Sequence, residues 1–242
     1  MRANTIFEED RNEKLESARE PNARACDLRV ARFVGDGTRR RRAGWLWWVY
    51  RLSHGTMILA VAVLIAVGIA LMRGGSLKRL ADVPLKAGWV ALVAFGLQVY
   101  LIYFPETVNQ GLGSPRAALL AISYLLLFIF VARNRALPGM AFIGAGMLAN
   151  FSVMLLNGGY MPITPEALEQ VGHTRKVMSA EPGARVMASK DIVLPREATI
   201  AWWLSDIFVV PPPFPLPTVF SFGDVLIALG AIWLIQTAMR AA

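Results

Sequence analysis

Residues 117–132 read Ala-Ala-Leu-Leu-Ala-Ile-Ser-Tyr-Leu-Leu-Leu-Phe-Ile-Phe-Val-Ala, with no formal charge until Arg133-Asn134-Arg135 closes the run. In hydrocarbon such a stretch becomes a helix, because a helix satisfies every backbone N–H and C=O inside one segment. Its length lies near the lower limit for spanning a core of about 30 Å, and flanking residues extend it. Four more runs have the same character: 57–72, stopped by Arg73-Gly74-Gly75; 87–104, between Pro84 and Pro105; 139–156, between Pro138 and Asn157-Gly158-Gly159; and 224–239, ended by Arg240. The expectation is an all-α integral membrane protein with five transmembrane helices and a long extracytoplasmic loop between helices 4 and 5. The composition agrees: 55% of the 242 residues are hydrophobic and 17% charged, against about 45–50% and about 25% for a soluble domain.

The breaks between runs set the orientation. Arg73, Lys78, Arg79 and Lys86 follow helix 1 with only Asp82 against them, Arg133 and Arg135 follow helix 3, and Arg240 follows helix 5. The opposite loop, 105–115, has no basic residue and carries Glu106, with Arg116 just beyond it as a single contrary charge. Positive residues concentrate on the cytoplasmic side. The expected location is therefore a bacterial inner membrane. The membrane domain's N-terminus and the loop 157–223 lie outside, and the C-terminus is cytoplasmic.

Residues 1–56 do not fit that scheme. They mix both charge signs, offer few apolar residues, and contain Arg39-Arg40-Arg41-Arg42 on the side just assigned to the outside. Such a segment cannot bury enough apolar surface to offset its ordering entropy, so residues 1–56 are read as a disordered basic extension. It ends in Trp45-Leu46-Trp47-Trp48-Val49-Tyr50, whose rings suit the membrane–water boundary. A start of natural translation at Met57 would remove the conflict, and mass spectrometry of the N-terminus tests it. The domain organisation is then 1–56 as extension and 57–240 as membrane domain. The net charge of +8 belongs with cytoplasmic loops and anionic lipid, so no nucleic acid is expected. One cysteine, Cys26, permits no internal disulfide, and no Cys/His cluster suggests a metal or a cofactor.

The loop 157–223 is too long for a plain connector, and its aromatic residues, Tyr160, Trp202, Trp203, Phe208, Phe214 and Phe220, require burial or an interface. A short helix is expected over 165–171, with Thr164 as N-cap and Pro165 as first helical residue. A second, amphipathic helix is expected over 199–207, lying on the membrane surface with Trp202 and Trp203 inserted. The proline-rich stretch 211–217 should form an extended strap into helix 5.

Four phrases occur in order among the hydrophobic segments: Arg73-Gly74-Gly75-Ser76-Leu77, Asn157-Gly158-Gly159-Tyr160-Met161-Pro162, Ser189-Lys190-Asp191 and Phe220-Ser221-Phe222-Gly223-Asp224. In these the chain resembles, over about residues 57–240, a bacterial membrane family known as domain of unknown function 5317. The resemblance implies a membrane location and no reaction.

Several residues are candidates for a polar site at the outer face: Lys190, Asp191, Arg196, Asp206 and Asp224. Asn157, Gly158 and Gly159 read either as a helix C-cap or as a turn close to a ligand beneath Tyr160. Ser221 and Asp224 suit a helix start. Gln98 and Asn150, inside the membrane, are read as interhelical hydrogen-bonding residues. No spacing of the carboxylates matches a hydrolase or metal signature, and His173 sits in a polar, solvated stretch. The preferred reading is a non-enzymatic accessory or interaction subunit that docks a protein or lipid through its outside loop. The partners are then the lipid bilayer and another membrane protein or a second copy of the chain. The alternatives are a small membrane enzyme acting on a lipid-linked substrate and a transporter or channel-like component. Gln98 and Asn150 facing one shared cavity would favour the last of these.

Overall fold

A computed structural model describes residues 54–103, 114–172, 183–186, 189–214 and 217–240. Residues 1–53 of the extension 1–56, the loop around Glu106 and the stretch containing His173 lie outside the described residues. So does the expectation placed on the aromatic cluster at 45–50. His54–Thr56 already belong to a helix rather than to a disordered extension.

The architecture is mostly helical. The helices are α1 (His54–Met72), α2 (Leu77–Ala81), α3 (Gly88–Tyr103), α4 (Pro115–Arg133), α5 (Met140–Leu156), the short α6 (Pro165–Gln170) and α7 (Phe222–Met239). Five coincide with the five apolar runs to within a few residues, as charge, proline and glycine punctuation dictates. Two of them, α4 and α7, are long and apolar enough to cross a membrane, while 59–72 of α1, α3 and α5 are apolar but shorter. Ser114 caps α4 by accepting from Ala117 N at 3.1 Å, with Pro115 at the first helical position.

The helices form an open ring, α1 on α7, α7 on α5, α5 on α4 and α4 on α3. The α5–α7 seam is the closest. The two helices run antiparallel, so Gly139 meets Gly230 and Gly146 meets Gly223, with the same seven-residue spacing on both. A Cβ on Gly146 would overlap the Gly223 carbonyl oxygen, and one on Gly230 would come within 2.6 Å of the Gly139 oxygen. Small residues at this spacing allow backbone-to-backbone packing. Gln98 is not bonded across helices to any described residue, whereas Gln236 is, donating to the Ala66 carbonyl of α1 at 2.7 Å.

All the basic breaks lie at one end of the ring. Arg79 donates to the Arg240 carbonyl at 2.9 Å, Arg73 to Gln236 Oε1 at 3.3 Å, and Asn134 joins the end of α4 to Lys86 through paired 2.8 Å bonds. At the other end the residues between α5 and α7 fold into a cap. Here the expectation of a purely α-helical chain is corrected, because the cap contains strands. β1 (Met161–Ile163) pairs in parallel with β2 (Asp191–Val193), and β3 (Phe208–Val210) pairs antiparallel with β4 (Thr218–Phe220). Single bridges add Arg185 beside Ile192 and Asp206 beside Ile163. The cap has its own apolar core, including Ile163, Leu168, Val186, Val193 and Val219, while Met161 is buried with Leu120, Met147 and Met154 of the bundle.

Within the cap, α6 forms where Thr164 and Pro165 place it, with Thr164 Oγ1 accepting from Ala167 N at 3.2 Å. The second expected helix does not form. Residues 199–207 contain a 3₁₀ turn, Trp202–Leu204, entered through Ala201 at φ +54°. That left-handed residue and the extended Ser205 interrupt any helical ladder. The proline stretch is also not a strap into the last helix. It is the connection of the β3–β4 hairpin, whose register sets Phe208 against Phe220 with rings 5.4 Å apart. Period-2 strands of three residues are too short to show in sequence.

Candidate functional site

Asn157-Gly158-Gly159 is a helix terminator. Gly158 at φ +74° and Gly159 at φ +88° turn the chain back, and Gly159 N donates to the Met154 carbonyl at 2.8 Å, closing the six-residue ring of a Schellman motif. Asn157 also pins the cap, its amide donating to Val153 and Ile200 carbonyls at 2.7 and 3.0 Å and its Oδ1 accepting from Ile200 N at 3.1 Å. Tyr160 is buried, with the Arg116 guanidinium 4.0 Å from its ring centroid. The turn faces Ala117, whose Cα would meet a Cβ on Gly159 at 3.4 Å.

Arg116 therefore points into the protein. It is buried and donates to the Leu101 carbonyl at 2.7 Å, in the last turn of α3. Arg185, also buried, donates to the same carbonyl and to that of Ile102, both at 2.7 Å. Two guanidinium groups thus satisfy carbonyls that the end of a helix leaves without intrahelical partners, and they complement its negative dipole end.

The β1–β2 pair and its flanking bridges place Arg185, Asp191 and Asp206 on adjacent strands, and Lys190 precedes β2. Four of the five polar-site candidates, Lys190, Asp191, Asp206 and Asp224, come together; the three carboxylates are buried and Lys190 is half-buried. The fifth, Arg196, does not join them. It lies exposed in the turn Arg196–Ala198, with its guanidinium 3.5 Å over the Trp202 ring. Burial disfavours the charged ammonium of Lys190, but Asp224 and Asp206 outweigh it and raise the group overall. Burial likewise pushes Asp206 well up, and the neighbouring Asp191 pushes it further, so Asp206 is the carboxyl that holds a proton most readily. Asp191 is raised by burial as well, against the pull of Lys190. One buried oxygen of each, Oδ1, accepts no hydrogen bond from any described residue.

Asp224 is tied in place. Its Oδ1 accepts from Asn150 Nδ2 at 2.8 Å and its Oδ2 from Ser221 N at 3.1 Å, while Ser221 Oγ accepts from Asp224 N at 3.1 Å and donates to Asn150 Oδ1 at 2.8 Å. The capping box at the start of α7 is thereby locked to α5.

These groups close one end of a cavity of about 140 Å³. Lys190, Asp224, Asn150, Gln98 and Arg116 form its polar part, and side chains such as Leu127, Met147 and Ile227 form its apolar part. Gln98 and Asn150 thus share one cavity. Among the described residues no group of three or more His, Cys, Asp or Glu side chains is arranged to hold a metal ion.

Sequence reasoning missed Arg116 and Arg185 as structural partners of the site. For Arg116 a signal existed: a charge beside the start of an apolar run finds its polar partners by turning inward. For Arg185 none did, because only the fold brings it to α3.

One family model matches the chain, over residues 82–236, and its description is "Family of unknown function (DUF5317)". The match begins after α1, so Arg73-Gly74-Gly75-Ser76-Leu77 lies outside it, a shorter reach than the expected 57–240. No curated protein and no solved structure matches.

Proposed function

The chain belongs to the family of unknown function DUF5317, and on that premise we propose that it is a five-helix integral membrane protein acting as a non-enzymatic interaction subunit. In this reading α1, α3, α4, α5 and α7 span the bacterial inner membrane, the C-terminus is cytoplasmic, and the cap lies outside. Two observations support the topology: the helices carry apolar residues on their outward faces, such as Leu64, Phe95, Leu125 and Trp233, and the basic breaks gather at the end opposite the cap. Burial of Arg116 removes the one charge in the short loops between helices that opposed this orientation.

The observation that carries the interaction role is the outer surface of the cap. Its own core is filled, yet Ile200, Trp203, Phe208 and Phe214 remain exposed, Trp203 at 58%. Exposed aromatic residues on a folded module suit a protein or headgroup interface. Full-length protein extracted in mild detergent should therefore carry a second protein or a second copy; recovery of a lone monomer, unchanged by Trp203→Ala, would reject this role. Orientation is tested separately. With Cys26 replaced by Ser, a membrane-impermeant maleimide should label Glu197→Cys in intact cells and leave Arg79→Cys unlabelled until the cells are opened.

A second reading is favoured by the shared position of Gln98 and Asn150. The cavity they line suits a ligand-carrying or transporting role better than simple helix glue would, and Lys190 beside three carboxylates also suits an enzyme on a lipid-linked substrate. Substitution of Asp191 and Asp224 by Asn, with folding retained and cellular phenotype unchanged, would reject the enzymatic version.

A further inference from the structure

Among the described residues, extensive packing runs from α1 through α7, α5 and α4 to α3, and no comparably extensive contact joins α1 to α3. The cavity takes walls from both: Leu59 from α1, and Gln98, Leu101 and Ile102 from α3. On α4 its lining extends from Arg116 to Leu127, eleven residues, or about 16 Å along a helix at 1.5 Å per residue. It is therefore an elongated slot, polar beneath the cap and apolar toward the middle of the bundle.

We propose that the gap between α1 and α3 is a lateral portal through which the acyl chain of a membrane lipid enters this slot. Its ester or hydroxyl oxygen then lies near Gln98, Asn150 and Lys190, and its hydrocarbon lies against Leu127, Met147 and Ile227. The proposal rests on the membrane reading above and goes beyond it by naming the ligand and its route.

Three features select this occupant. First, the volume, about 140 Å³, is close to the ~150 Å³ apolar cavity known to take up benzene, so it admits a hydrocarbon segment and not a whole lipid. The rest of the molecule must remain outside, which a side opening toward the bilayer permits. Second, the polar end has little net charge to offer. Lys190 faces Asp191, Asp206 and Asp224, and the three cations Lys190, Arg116 and Arg185 are matched in number by these three carboxylates, while one nitrogen of each guanidinium donates to the end of α3. This favours an uncharged ester or hydroxyl over a bare phosphate as the group that enters. Third, the Gln98 amide has no hydrogen-bond partner among the described residues, so both its donor and its acceptor remain for a ligand at the portal.

The test uses the full chain in vesicles of phosphatidylglycerol or of phosphatidylcholine, each doped with a phospholipid bearing a diazirine at the end of one acyl chain. After photolysis, adducts should map to peptides containing Leu127 or Met147, besides those on outward residues such as Leu64 and Phe95. Met147→Trp, which fills the slot, and Leu59→Trp, which narrows the portal, should each lower the inner adducts about tenfold and leave the outer ones unchanged. Yields should be alike in the two lipids. Adducts confined to outward faces of the wild-type protein would overturn the proposal, whichever variant folds. A strong dependence on the lipid headgroup would also overturn it, because recognition would then lie outside the slot. Extraction of the protein from membranes by alkaline carbonate would instead defeat the membrane reading itself.

Discussion

The α5–α7 seam and the junction between cap and bundle hold the same molecule together by opposite means. Along the seam two backbones approach until no Cβ fits between Gly146 and Gly223 or between Gly139 and Gly230, and the Asn150–Asp224–Ser221 network is a polar link at one end. At the junction the elements do not approach as closely. Buried guanidinium groups reach across to carbonyls, and carboxylates gather around Lys190. The seam depends on volume and tolerates no added atom. The junction depends on charge and hydrogen bonds, and it tolerates shape changes better than changes of charge.

Four substitutions test that contrast, and the first should have the largest effect. Gly146→Leu forces a side chain into the Gly223 backbone and the Ile227 side chain. The expected loss is on the order of 3 kcal/mol, the upper range for overpacking, because backbone cannot move aside as a flexible side chain can. Yield and thermal unfolding in detergent measure it, and a variant as stable as wild type would show the seam to be loose. At the junction, Arg185→Met preserves bulk but leaves the Ile102 carbonyl without this donor. About 2 kcal/mol should be lost, the range of a hydrogen bond to a charged group. Proteolysis should then reach the cap before the helices.

The third substitution should act in the opposite direction. Asp206 is raised by burial and by Asp191, so between the ordinary carboxylate range and its raised value the folded protein holds a proton that the unfolded chain has released. Stability contributed there falls as pH rises. Asp206→Asn should therefore raise stability at neutral pH, on the order of 1 kcal/mol for a neutral amide in place of a carboxyl whose ionised form burial disfavours, and flatten the dependence of Tm on pH. An unchanged dependence would show that the folded protein does not hold this proton beyond the ordinary carboxylate range. Lys190 has the reverse sign: its raised group contributes stability at neutral pH that is lost only in strong alkali. The smallest effect belongs to Arg196→Ala, which removes an exposed stack on Trp202 worth about 0.5–1 kcal/mol. Cap folding should survive it, which would confirm that Arg196 stands apart from the polar cluster.

Much of the bundle could be read from the chain because each apolar run is bounded by groups that end helices: Arg73-Gly74-Gly75, Pro84, Pro138, Arg133 and Asn157-Gly158-Gly159. Thr164 and Pro165 likewise announce α6, because capping chemistry is local. The cap was much less legible. Its strands are three residues long, and Met161–Ile163 pairs with Asp191–Val193 across a separation that no local pattern encodes. Asn150 was noticed as an amide in an apolar run, but that it holds Asp224 depends on α5 and α7 lying antiparallel at glycine distance.

The sequence by itself determined that five apolar segments become helices, where they stop, and that their basic ends alternate, because backbone hydrogen bonding, caps and charge placement act over a few residues. Only the tertiary structure decided that α3 packs on α4 and α1 on α7, that Arg116 and Arg185 close the end of α3, and that Lys190 meets three carboxylates over a largely apolar slot. Those outcomes depend on which helix packs on which and on how a small sheet lays its strands side by side. These are long-range choices, fixed by close packing at glycines and by the partners that polar groups taken out of water require.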